Sequence, residues 1–105
     1  MPDQALRFSE GKHRLSLVQL AFLRSMIKVM EFGCRKYSRD NWKKSAGGPD
    51  HDDFVRDRAD SLWRHYEHRF LEGEVTDKES GESHMAAVAV NAMFIWFYDL
   101  NAKKP

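Results

Sequence analysis

Residues 73 to 84 read GEVTDKESGESH and run straight into a strongly apolar segment. Asp77, Glu79, Glu82 and His84 crowd into this short, glycine-punctuated stretch, and His84 opens what reads as a buried helix. Carboxylate oxygens and an imidazole at the mouth of a core helix are what a hard divalent cation or a phosphate ester requires. Upstream, KYSRDNW at 36 to 42 brings the complementary chemistry. Lys36 and Arg39 can neutralise phosphate, Tyr37 and Trp42 offer faces for a base to stack on, and Asn41 adds an amide. Tyr37 and Trp42 could equally seal the bottom of a core, and Asn41 could bond backbone. Together the two stretches suggest a nucleotide or another phosphorylated small molecule as partner. They leave open whether it is cut or only held.

The acidic loop suits Mg²⁺ or Mn²⁺ better than zinc. Magnesium keeps several waters and needs only one or two carboxylates beside substrate phosphates; the loop offers Glu74, Asp77, Glu79 and Glu82, of which Asp77, Glu79 and Glu82 are the expected metal ligands. A solvated loop, with Asp77 or Glu79 merely forming turns, is the alternative. The histidines are separated and the single cysteine, Cys34, has no partner, so no zinc pattern exists. Cys34 reads as packing filler near the end of an apolar helix.

Three helices must position these groups, and no stretch reads as a strand. The first is expected over 15–33, with Leu17, Leu20, Leu23, Ile27 and Met30 at helical spacing and Gly33 as its stop. The second is expected over 54–71, capped by Asp50, Asp52 or Asp53, with Val55, Ala59, Leu62, Tyr66 and Phe70 as its core stripe and Gly73 ending it. Arg58, His65 and Arg69 border that stripe and can reach into a cleft while their stems pack. Arginine suits bidentate phosphate recognition. Arg64, His68 and Asp57 lie on the more exposed side. The third is expected from Ser83 or His84, with Ser83 as N-cap, to about Leu100. It is apolar nearly all round, and two partner helices cannot easily enclose it. A second copy of the chain is therefore expected to supply the missing cover, making a homo-oligomer, a dimer or higher. His84 and Asn91 share one face of this helix. Each needs a partner, because an unpaired buried polar group costs on the order of 1–3 kcal/mol. Either they bond within the bundle, or His84 serves a metal or phosphate while Asn91 orients a ligand or water.

The 105 residues favour one domain, read here as a helical nucleotide-binding domain over 1–105 with an N-terminal arm at 1–14. The fold class is all-α, a small bundle of three main helices. With 17 basic and 16 acidic residues the formal charge is +1, which argues against a dedicated duplex nucleic acid binder. The longest apolar run is too short for a membrane span. No signal peptide is visible, and one cysteine allows no internal disulfide, so a reducing, cytoplasmic setting is expected.

The ordered set of motifs resembles the dATP/dGTP diphosphohydrolase N-terminal domain family of phage-encoded proteins. The lead-in from Arg7 through Gly11 and Lys12 to Leu15, the Gly33 to Trp42 segment, Arg64-His65, and Gly73 to His84 occur in the family's order across nearly the whole chain. The resemblance implies an all-α, MazG-like phage protein of nucleotide metabolism, acting in the host cytosol. Such an enzyme hydrolyses a purine dNTP to dNMP and pyrophosphate with a divalent cation. It implies site residues Lys36, Tyr37, Asn41, Trp42, His65, Asp77, Glu79 and His84. The paired-glutamate signature of MazG-type hydrolases, ExxE facing ExxD, is missing here. Glu31 is the only acid in the expected first helix.

The leading expectation is a Mg²⁺-dependent pyrophosphohydrolase. Asp77, Glu79 and Glu82 would hold metal, and His84, His65 and Asp77 would do the chemistry. Lys36, Arg58 and Arg69 would clamp phosphates. Tyr37, Arg39, Asn41, Trp42 and Asn91 would complete the substrate contacts. The alternative is a non-catalytic nucleotide-binding protein, a sponge sequestering a nucleotide second messenger of host defence. A third possibility is a protein-interaction dimer whose last helix is simply an interface.

Overall fold

The computed structural model of the chain describes Phe8 and residues 10–103. The expected arm at 1–14 therefore lies mostly outside the described residues. Helices α1 (Leu20–Gly33), α2 (His51–Phe70) and α3 (His84–Leu100) make up the architecture, with single 3₁₀ turns at Leu15–Leu17 and Asn41–Lys43. Among the described residues there is no strand, only an isolated antiparallel bridge between Thr76 and Ser83. No described helix is long and apolar enough to cross a membrane.

The helix starts have local causes. α1 begins at Leu20 and not at 15, because Val18 and Gln19 adopt extended backbone and separate it from the preceding 3₁₀ turn. α2 begins at His51, three residues before the expected start. Its N-cap residue Asp50 makes no side-chain cap bond. Instead the His51 ring accepts the Gly47 N–H at 2.8 Å, and Asp52 and Asp53 complement the helix dipole from the first turn. α3 starts as expected: the Ser83 hydroxyl accepts the Met85 N–H at 3.1 Å.

α3 is the element on which both other helices pack. Its buried face comprises His84, Ala86, Ala87, Val90, Asn91 and Tyr98. Tyr98 is fully buried and ties the far end together. Its ring stacks on Phe54 at 4.3 Å, and its hydroxyl donates to the Trp42 carbonyl and accepts from Ser45 N–H. Burial raises the Tyr98 pKa, which keeps the phenol protonated and able to donate. Trp42 itself packs against Phe94 and Phe97, with ring centroids 4.6 and 4.9 Å apart.

The core differs from expectation in where cover is missing. α3 is enclosed on one face, with Trp96 and Leu100 exposed at its far end. The larger bare surface is on α1, where Leu20 and Ile27 of the expected core stripe are 67% and 57% exposed. Periodicity groups these residues on one face correctly, but no described residue buries Leu20 or Ile27. The radius of gyration of 18.1 Å exceeds the roughly 13 Å of a compact domain of this length.

Removing the Tyr98 hydroxyl leaves the Trp42 carbonyl and Ser45 N–H without their partner. Tyr98→Phe is expected to lower unfolding free energy by about 1–2 kcal/mol in a urea titration. A loss under about 0.5 kcal/mol would show that these bonds do not anchor the 36–45 segment.

Candidate functional site

The loop between α2 and α3 is folded by its own polar groups. Gly73 and Gly81 take positive φ values of 71° and 77°, which side chains disfavour, and so turn the chain out of α2 and back toward α3. Asp77 organises the turn between them. Its backbone N–H donates to the Glu82 carbonyl, and its carboxylate accepts from Glu79 N–H at 3.2 Å and Ser80 Oγ at 3.1 Å. Glu82 accepts the Ser25 hydroxyl at 2.9 Å, fastening the loop to α1. The His84 N–H donates to the Val75 carbonyl at 3.0 Å, which fixes where α3 begins.

That placement buries the His84 ring to 1% exposure with both nitrogens partnered. Nε2 lies 2.8 Å from Glu74 Oε1, and Nδ1 lies 2.8 Å from Nδ1 of His65 on α2. The His68 ring stacks on His84 with centroids 5.2 Å apart, and its Nδ1 contacts the Glu72 carboxylate. The hydrogen bond from His84 holds the Glu74 pKa below its ordinary value against the opposing effect of burial, with the Lys78 charge assisting. The His65 pKa is lowered, chiefly by burial. Asp77 opposes that shift, while His84, His68 and Arg64 reinforce it.

Two turns further along α3, Asn91 is buried and fully used. Its amide donates to Ala87 O at 3.0 Å and Ser61 Oγ at 3.3 Å, and its carbonyl accepts from Arg58 Nη1 at 3.3 Å. Arg58 Nη2 pairs with Asp57 at 2.6 Å. Arg58 Nε is buried with no partner among the described residues.

Two cavities meet here. One, about 800 Å³, is polar, and its wall includes Lys36, Arg64, His68, Glu74, Asp77 and His84. The other, about 410 Å³, is mainly apolar and aromatic, with Tyr37, Asn41, Trp42, Phe54, Asn91 and Phe94 among its lining. Arg58, Ser61, His65 and Ala87 line both, so the two form one hollow with a shared wall.

Of the residues singled out by sequence, this hollow gathers Lys36, Tyr37, Asn41, Trp42, Arg58, His65, Asp77, Glu79, His84 and Asn91. Arg39, Arg69 and Glu82 line neither cavity. Arg39 is exposed, and the Arg69 guanidinium lies over the adjacent Phe70 ring at 4.9 Å. Of the three expected metal ligands, Asp77 and Glu79 line the polar cavity, while Glu82 bonds Ser25 on α1. Among the described residues no group of three or more His, Cys, Asp or Glu could hold a metal ion. Sequence reasoning counted Glu74 only among the loop carboxylates, set Arg64 on the more exposed side of its helix, and did not single out Ser61. Glu74 carried a signal of a kind: a buried imidazole needs an acceptor, and Glu74 opens the same loop.

Folding stability follows pH through these groups. Unfolded His65 takes up its proton as pH falls through 6.5, while the folded chain resists until a lower pH. The same holds for Glu74 below 4.5. Both contributions are therefore complete above 6.5 and are lost as pH falls. The urea midpoint is expected to drop between about pH 7.5 and 5.5, with a shallower drop in His65→Asn. Equal slopes in the two proteins would contradict this assignment.

No curated protein and no solved structure matches the chain. A family model described as dATP/dGTP diphosphohydrolase, N-terminal, matches residues 2–104. With the match spanning nearly its whole length, the chain belongs to the dATP/dGTP diphosphohydrolase N-terminal family.

Proposed function

We propose that the hollow binds a purine deoxynucleoside triphosphate and hydrolyses it to the monophosphate and pyrophosphate. The observation that carries this reading is the shared wall between an aromatic cavity and a cleft bearing cations and histidines. A base suits the first, where Tyr37 and Trp42 offer stacking faces. Phosphates suit the second, where Lys36, Arg58 and Arg64 stand. The unpartnered Arg58 Nε supplies a buried donor at the junction, where the sugar and α-phosphate would lie. Water attacks the α-phosphorus, the bond from that phosphorus to the bridging oxygen breaks, and pyrophosphate leaves. His65 accepts the proton of the attacking water. A magnesium ion arriving on the triphosphate would shield its charge, with Asp77 and Glu79 on the wall of the same cleft.

Non-catalytic sequestration is the competing reading, and the dispersal of the loop carboxylates favours it. The two separate in one assay. With dATP or dGTP and Mg²⁺ or Mn²⁺, pyrophosphate release is expected. Arg58→Ala should weaken nucleotide binding by tenfold or more (about 1.4 kcal/mol), and Arg69→Ala should bind as the parent does. Tight binding of unchanged nucleotide without metal, and no turnover at high protein concentration, would replace hydrolysis with sequestration.

The bare α1 stripe and the expanded dimensions support a second copy as its cover. Light scattering is expected to give a mass at least twice the 12.3 kDa of one chain. Ile27→Glu should shift it toward the single-chain mass. A monomer at high concentration would overturn this.

A further inference from the structure

We propose that Glu74 is a positioning residue: it sets the tautomer of His84 and, through His84, leaves His65 Nε2 as a proton acceptor toward the hollow. The inference rests on the proposed hydrolysis only for its kinetic consequence. Its structural content stands on the hydrogen bonds alone.

The two Nδ1 atoms of His84 and His65 are 2.8 Å apart, so they share one proton. Geometry alone allows that proton to sit on either ring. Glu74 breaks the tie. An ionised carboxylate only accepts, so His84 Nε2, 2.8 Å away, carries a hydrogen. In neutral His84 the other nitrogen is then bare and must accept. The shared proton therefore belongs to His65 Nδ1, and the bare nitrogen passes to His65 Nε2. No described residue bonds that atom, and His65 lines both cavities. The chain of acceptors runs from carboxylate to imidazole to imidazole. When His65 Nε2 takes a proton, Nδ1–H stays bonded to His84, so no ring has to rotate. The groups facing His65 are Asp77 from the loop, His84 from α3, and His68 and Arg64 from its own helix. Asp77 is the one anion among them, so the imidazolium formed on proton uptake depends on Asp77 and, through His84, on Glu74.

The test is long-range ¹H–¹⁵N spectroscopy of the histidine rings in the full chain near neutral pH, without nucleotide. His84 should appear as the Nε2–H tautomer and His65 as the Nδ1–H tautomer. In Glu74→Gln the amide can present either its oxygen or its NH₂, so both rings should become tautomer mixtures while the circular dichroism spectrum is kept. In turnover, Glu74→Gln should lower kcat by about 100-fold or more with KM within about threefold, the signature of a base held in the wrong tautomer. His84 found as an imidazolium or as the Nδ1–H tautomer would overturn the proposal. So would a Glu74→Gln protein with unchanged ring spectra. Absence of nucleotide turnover by the parent chain would remove the hydrolysis reading, while the ring spectra would still decide the relay.

Discussion

An imidazole sealed from water must satisfy two nitrogens from inside the protein, and that requirement organises this chain. His84 sits where the loop from α2 meets α3, and each neighbour answers one of its demands. Glu74, at the start of the loop, bonds one nitrogen, and His65, on α2, bonds the other. The Val75 carbonyl holds its backbone, and Ser83 caps the helix it opens. An unpaired nitrogen here would cost on the order of 1–3 kcal/mol, comparable to a sizeable share of a small domain's stability. The arrangement of loop and helices is thus inseparable from the chemistry it exposes.

The loop carboxylates divide their labour as a result. Asp77 spends its oxygens on its own turn, Glu82 fastens the loop to α1, and Glu74 serves His84. Three of the four loop carboxylates thus also hold the fold together around a histidine. The hollow beside them combines opposite environments. Aromatic rings anchored through Tyr98 form one end, and cations and histidines the other. The buried Arg58–Asn91–Ser61 network lies at the junction. Such asymmetry fits a ligand with an apolar face and a charged tail.

Much of this was legible in the sequence, within physical limits. Helical spacing placed His65 at the border of an apolar face and His84 on one face with Asn91 at the mouth of an apolar helix, and Ser83 announced the start of α3 by its side chain. Pairing across nineteen residues was not legible, because periodicity gives the face of a helix and not the face opposite. Glu74 was legible as a loop carboxylate but not as the partner of His84, for the same reason. Arg58 and Arg69 share a stripe, but Arg69 stands near the end of α2, past the hollow, and rests on Phe70. α1 shows the limit most clearly. Its apolar stripe is real, yet nothing in spacing tells whether the cover comes from the same chain.

The chain holds three tryptophans, which makes one measurement especially direct. Trp42 lines the aromatic cavity, while Trp63 and Trp96 line neither cavity and are largely exposed. Titration with a non-hydrolysable purine deoxynucleoside triphosphate, followed through the indole N–H signals, should move the Trp42 resonance saturably, with Trp63 and Trp96 shifting little. Saturable binding that leaves Trp42 unmoved, or no binding at millimolar nucleotide, would contradict the placement of a nucleotide in this hollow.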